Sequence, residues 1–482
     1  MCGVGHLLVY VGCLDYGVHS HRIVDCKSRK TGNTGIETGR VMNDISLVIA
    51  RKLSARLPFY YGWIVVFAAG TTTFARMAPS TTTLAVFLSP MADEFGWSRT
   101  LIAGSVSLGA LSSIFISPAV GWAVDRYGVR LILAGSMLVL GGAMVSLAWA
   151  TVPVFFYMGF TTGRIIFHVP VQIGTGALIS RWFIRKRGRA IGIIYLAGAV
   201  GGIVTVQIAS LVISHWSIGV AWISLGVLVL AVAVLPSALL IVDRPETIGL
   251  QPDNQPSQNS GDKAEPEEDS PDETGWSPRQ AMRTRALWVL TVVVGVLFMT
   301  QAGISVHVGA FFLDRGLSLT AAANAITINA AVNAFASLMW GAIIERTTVR
   351  VAMTGLMLLS ATCSLSLLSV TSEASAFAVA ALLGLVAAGG NVIPPVAFAS
   401  YFGRRSIGSI RGISETGVQV GQTIGALFSG LVFDLSESYA AAFITFGALG
   451  FVSALVVNSS RPPLRADETD PIFLEQRSRN GD

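Results

Sequence analysis

Apolar stretches of roughly 20 residues, each long enough to cross a ~30 Å hydrocarbon layer as a helix, recur along this chain and constrain its fold more than any other feature. Twelve are read, over 59–88, 99–121, 131–150, 153–180, 189–213 and 218–242, then 286–312, 318–344, 349–370, 374–400, 409–433 and 438–458. In lipid, backbone groups must be paired within the spanning element, so the prediction is an all-α membrane protein with twelve transmembrane helices. Charged residues make up only 13% of the 482, and the mean hydropathy of +0.63 excludes an ordinary soluble domain.

Between the two sets of six lies a stretch rich in Pro, Ser, Asp and Glu that cannot build a core and reads as a flexible linker. The expected organisation is an N-terminal extension over 1–56, a six-helix bundle over 57–242, the linker over 243–284, a second bundle over 285–459 and a tail over 460–482. The extension lacks the pattern of a secretory signal, and Met42 is a candidate start. Cys2, Cys13, Cys26 and Cys363 show no metal-ligand spacing, so neither a metal nor a disulfide is expected.

One side of the membrane collects almost all loop cations, among them Arg126, Arg130, Arg185, Arg346, Arg350 and Arg404, whereas the other has only Arg99 and Arg315. The positive-inside rule therefore places both termini and the linker in the cytoplasm of a multi-pass protein of the cell (inner) membrane. The net charge of +5 reports this orientation rather than nucleic-acid binding.

The halves resemble each other. "GWAVDRYGVR" (121–130) follows the second span, and "GAIIERTTVR" (341–350) follows the eighth; "WFIRKRGRAIGI" (182–193) follows the fourth, and "YFGRRSIGSIRGI" (401–413) follows the tenth. Two parallel six-helix repeats with a substrate site near the midplane are implied by such a tandem duplication.

"GWAVDRYGVR" resembles the loop signature G-x-x-x-D-[RK]-x-G-x-[RK] of the major facilitator superfamily, through Gly121, Asp125, Arg126, Gly128 and Arg130. Its second copy keeps Glu345, Arg346 and Arg350 but has Thr348 where the second glycine belongs. "YYGWIVV", "EFGWSR", "DRPETIGLQPD" and "FDLSESYAAAF" are similar to segments of the monocarboxylate porter and oxalate/formate antiporter branch. One departure is that Asn324, Asn329 and Asn333 stand in the eighth span where animal monocarboxylate carriers have an Asp and Arg pair. The resemblance implies the major facilitator fold and secondary transport of a mono- or dicarboxylate, by proton symport or anion exchange. In this reading the loop motif is a gate at the cytoplasmic helix ends.

Within the spans, Arg76 and Arg164 stand out, because a charge at a helix centre costs on the order of 2.5–3.5 kcal/mol unless it faces water or a partner. At 1.5 Å per residue Arg164 falls about 16 Å deep, near the midplane, and Arg76 about 25 Å from the cytoplasmic end, in the outer half. Arg164, His168 and Gln172, at i, i+4 and i+8, form one polar stripe beside Pro170. Guanidinium groups without an acid in the same half suit a carboxylate, so Arg76, Arg164, His168 and Gln172 are candidate substrate residues, with Asn333, Asn391 and Gln419 as the opposite wall. The bland alternative ties Arg164 to helix carbonyls or Gln207. Glu415 and His307 are proton-coupling candidates, Glu415 having a structural partnership with Arg411 or Arg404 as its alternative. "GGNVIPP" (389–395) predicts a break in the tenth helix matching the one at Pro170.

No cofactor is expected, and no nucleotide loop exists for ATP drive. A monomer in a lipid bilayer, carrying a small organic anion with a proton or counter-anion, is the reading. An efflux antiporter for drugs or metabolites, and a transporter-like receptor without transport, are the alternatives. An enzyme is not expected, because no nucleophile with a base or cluster of His and acids stands at a membrane face.

Overall fold

A computed structural model describes residues 46–254, 275–459 and 463, and among these there is no strand. Met42, three of the four cysteines, most of the extension and tail, and the middle of the linker lie outside the described residues. Among the described residues, eleven helices are each long and apolar enough to cross a membrane. The twelfth crossing, the first in the chain, is interrupted: Gly62–Ala75 and Thr81–Phe95 flank a tight turn. The expected continuous span over 59–88 is thus corrected to 62–95 with a break. Pro79 has no N–H to continue the helix, Met77 and Ala78 bond three residues back rather than four, and the Ser80 hydroxyl caps the new start by accepting from the Thr83 N–H at 3.2 Å.

The remaining spans of the first half are Arg99–Tyr127, Val129–Ser146, Pro153–Trp182, Arg187–His215 and Ile218–Leu239. The fourth is broken at Val169, where Pro170 opens its second segment. The second half has Arg285–Ser305 extended by Val308–Asp314, then Leu319–Arg346, Val349–Ser366, Glu373–Phe402, Ile407–Ser436 and Ala440–Asn458. The tenth runs unbroken through Pro394 and Pro395, contrary to the expected break. The two prolines remove hydrogen bonds to the carbonyls of Gly390 and Asn391, while Gly389 admits Trp340 and Leu356 and Gly390 admits Gln301.

Pairing within the halves follows one rule. The first span packs on the fifth, the second on the fourth and the third on the sixth; the seventh packs on the eleventh, the eighth on the tenth and the ninth on the twelfth. The halves meet through the second span on the eleventh and the fifth on the eighth. Glycine makes these crossings close: Gly121 faces the Gly408 carbonyl, and Gly188 and Gly341 face each other's carbonyls. Within the halves, Gly201 lies on the backbone of Phe74, Gly421 on Gly295 and Gly425 on Met299. Removing the side chain lets backbones approach in lipid, where dispersion rather than the hydrophobic effect holds helices together.

After the sixth span the chain forms a strap across the end that carries the basic loops. The Asp253 carboxylate accepts the N–H groups of Ile184 (2.8 Å), Arg185 (2.6 Å) and Lys186 (3.4 Å), closing the loop between the fourth and fifth spans. Tyr60 donates to the carbonyls of Trp182 and Gln251, each at 3.1 Å. Burial is the first cause pushing the Tyr60 hydroxyl well above the usual tyrosine range, followed by the nearby charges of Asp253 and Glu246. Asp253→Ala removes the acceptor for three loop N–H groups and is expected to cost about 1–3 kcal/mol, read as a lower thermal midpoint of the detergent-purified protein.

Candidate functional site

The two proline breaks face each other. At the first-span turn Arg76 begins the bend; at the fourth-span break its Nη1 donates to the Phe167 carbonyl at 2.9 Å and to Gln172 Oε1 at 2.8 Å. Pro170 interrupts the helix ladder just there, and a guanidinium satisfies the carbonyl left beside it. Arg76 therefore engages the middle of the fourth span. Side chains tilt toward the N-terminus of their helix, which in the first span means back toward the midplane.

Arg164 lies one turn before the break. Its Nη1 donates to the Pro79 carbonyl at 3.3 Å, and its Nη2 to His168 Nε2 at 2.8 Å. Because guanidinium only donates, His168 Nε2 is the acceptor and its proton sits on Nδ1. The alternative partner Gln207 makes no hydrogen bond to it among the described residues, and Gly109 of the second span abuts its stem. The guanidinium carbons of Arg76 and Arg164 each lie 4.8 Å from the centroid of the Phe167 ring, cation–π contacts in a dry setting. Arg76 is 6% exposed, Arg164 5% and His168 9%, so all three are enclosed by protein.

The second half supplies the facing groups. Glu415 Oε1 accepts from Gln419 Nε2 at 3.1 Å, and its Oε2 lies 3.5 Å from Arg411 Nη2. Arg411 is thus the partner of Glu415, whereas Arg404 reaches the Arg181 carbonyl at 3.0 Å. Tyr195 of the fifth span stands between the two groups, its ring 5.9 Å from the Arg76 guanidinium, and both it and Glu415 are within electrostatic range of Arg76. Sequence reasoning missed Tyr195 and Phe167. An aromatic in an apolar span carries no signal of its own, but Phe167 adjoins His168 inside the polar stripe.

The structure brings Arg76, Arg164, His168 and Gln172 together, with Glu415 and Gln419 opposite. Asn333 and Asn391 are half-buried and make no hydrogen bond to this cluster among the described residues; the backbone of Asn333 packs on Gly384 of the tenth span. His307 lies at the other end of the bundle, its Nε2 3.2 Å from the Ala426 carbonyl and its Nδ1 3.4 Å from the Tyr439 hydroxyl.

At the basic end the loop copies do corresponding work. Asp125 accepts the N–H groups of Gly408 (3.0 Å) and Ser409 (2.7 Å), which open the eleventh span, and pairs with Arg181 at 3.2 Å. Glu345 accepts the Arg189 N–H at 2.8 Å near the start of the fifth span and pairs with its Nε at 2.8 Å. Each carboxylate thus reaches across to a helix N-terminus of the other half, where backbone N–H groups and the helix dipole favour an anion. Arg126 is exposed and stacks on Trp122 and Tyr127, while Arg130 gives its backbone N–H to Asp243 at 3.0 Å and its side chain to Ser46. Gly128 turns between them at φ +88°, where a side chain would also strike Asp243. Arg346 is exposed and Arg350 half-buried.

Twelve crossings in two identically paired sets, joined at one end and enclosing buried cations, define a two-bundle membrane carrier. The chain belongs to the Major Facilitator Superfamily, whose family model matches residues 62–347 and 309–477. It is 31% identical over 137 residues to an uncharacterized MFS-type transporter, YcxA, of Bacillus subtilis (strain 168); the match spans 28% of this chain and 32% of that relative. Among solved structures it is similar to the human organic anion transporter MFSD10 (TETRAN), with a TM-score of 0.64 and 14% identity over 82% of this chain and 99% of that one. The proton:xylose symporter XylE gives 0.61 and 14% over 83% and 95%. At such identity these structures show the fold alone. The protein is a multi-pass membrane transporter of this superfamily, and the branch and substrate do not follow from these likenesses.

Proposed function

We propose that this transporter moves a small organic anion bearing a carboxylate, by rocking its two bundles about the cluster around Arg76 and Arg164. The observation that carries this reading is a pair of buried guanidinium groups whose hydrogen-bond partners are all neutral: two backbone carbonyls, an amide and an imidazole. A charge buried without a counter-ion is costly, and an anionic ligand relieves that cost for both cations at once. Among the described residues, the acid within range, Glu415, is held by Arg411 and Gln419.

Closure of the basic end by Asp125 and Glu345 is, in this reading, the state that opens the site to the opposite face, with the basic end in the cytoplasm of the cell membrane. Opening requires those carboxylates to leave their helix termini. A proton gradient or a counter-anion drives the cycle, with Glu415 and His307 as the groups whose protonation would couple to it.

Proteoliposomes that take up labelled carboxylates test the proposal. Arg76→Gln combined with Arg164→Gln is expected to lower carboxylate uptake by about 100-fold or more, since both buried positive charges of the cluster are removed together. Uptake of carboxylates at the normal rate and affinity by the double variant would sink it.

A further inference from the structure

The two arginines are not equivalent, and the unequal use of their nitrogens separates their roles. Arg164 has both terminal nitrogens committed, Nη1 to Pro79 and Nη2 to His168, and its stem lies against Gly109. Arg76 commits Nη1 alone, to Phe167 and Gln172. Its Nε is buried without a hydrogen-bond partner, as is that of Arg164, so the difference lies in Nη2, which in Arg76 donates to no described residue. Nε and Nη2 share one edge of the guanidinium plane, the edge that matches the two oxygens of a carboxylate in a side-on fork. The two groups also face differently. Arg76 lies within range of Tyr195 and of Glu415 in the second half, whereas the charge acting on Arg164 is that of Arg76.

Resting on the anion reading above, we infer that Arg76 is the residue that grips the substrate carboxylate, through its free Nε–Nη2 edge. Arg164 and His168 are positioning residues that never contact substrate. They hold the first-span turn against the fourth-span break: Arg164 ties Pro79 to its own helix, and His168 fixes the Arg164 plane by accepting from Nη2. Gln172 and the Phe167 carbonyl orient Arg76 by occupying Nη1, which leaves the Nε–Nη2 edge uncommitted. The site therefore takes a planar carboxylate presented edge-on to Nε and Nη2. This ordering reverses the depth argument from sequence, in which Arg164, nearer the midplane, is the more natural ligand.

The experiment uses the full chain in proteoliposomes with formate, lactate, oxalate and succinate as probes, and reads KM and maximal rate separately. Arg76→Lys keeps the charge but loses the fork, and is expected to raise KM for the transported carboxylate by about tenfold or more with a maximal rate within about threefold of wild type. Arg164→Lys is expected to do the opposite, with KM within about threefold and the maximal rate down by about tenfold. His168→Gln preserves an acceptor for Arg164 and is expected to stay near wild type, while His168→Leu follows Arg164→Lys. Should Arg76→Lys yield no folded protein, Gln172→Glu provides a tethered carboxylate against Arg76 and is expected to raise KM by the same about tenfold factor. An unchanged KM in the Arg76→Lys or Gln172→Glu protein, or an equal rise in Arg164→Lys, overturns the assignment. A wild-type protein that transports none of the four probes overturns the anion reading itself, before any variant is compared.

Discussion

Asp125→Ala combined with Glu345→Ala is expected to open the basic end and cut transport by about 100-fold. Each carboxylate holds backbone N–H groups and an arginine across the junction between the halves, at sites where losing one charged acceptor costs about 1–3 kcal/mol. Losing both shifts the balance of states by several kcal/mol, more than the cycle tolerates if both states must be visited. The measurement is maleimide labelling of a cysteine introduced at Ser337, which lies buried at the crossing of the fifth and eighth spans. That cysteine is expected to be protected in the parent and reactive in the double variant. Protection together with full transport in the double variant would show that these contacts do not gate.

Gly425→Val is expected to abolish folded protein. A Cβ at Gly425 would collide with the Met299 carbonyl, where the seventh and eleventh spans run backbone to backbone, and neither main chain can retreat without opening the whole interface. Overpacking of this kind costs about 1–3 kcal/mol even where side chains can yield, and more against backbone. Gly202→Ala is the contrast, because its Cβ would meet open space and the variant is expected to behave as the parent. Monodisperse yield in detergent, compared side by side, reads both. A normal yield of Gly425→Val would mean that the seventh and eleventh spans cross at a greater distance.

The crossings were legible in the sequence because lipid forces backbone pairing within each span, leaving composition to mark the segments. The likeness of the halves was also legible, since Asp125 and Glu345 sit in matching decapeptides. Their partners were not. Nearby arginines in the same motif are the obvious counter-charges, yet both acids reach instead to helix termini of the opposite half, and backbone N–H groups have no letter in a sequence. The stripe of Arg164, His168 and Gln172 was visible as a spacing, but its division between two cations was hidden. Pro79 marks the first-span turn, but it stands alone in a stretch otherwise continuous enough to pass for one helix, and 59–88 reads as unbroken. Pro394 and Pro395 gave a misleading clue: a proline pair reads as a break, but the tenth helix carries on past it. Whether a proline breaks a helix depends on neighbours that donate to the freed carbonyls or make room for the ring.

The two gate carboxylates differ in how they are sheltered, and this gives the transporter an uneven sensitivity to ionic strength. Asp125 pairs with an arginine that is 6% exposed and caps the eleventh span through two backbone N–H groups, an arrangement from which mobile ions are largely excluded. The partner of Glu345 is 53% exposed, so added salt weakens that pair first. Raising the salt concentration therefore loosens the junction of the fifth and eighth spans while the second and eleventh stay clasped. The bath surrounding the protein is thus expected to bias which seam parts first when the bundles rock.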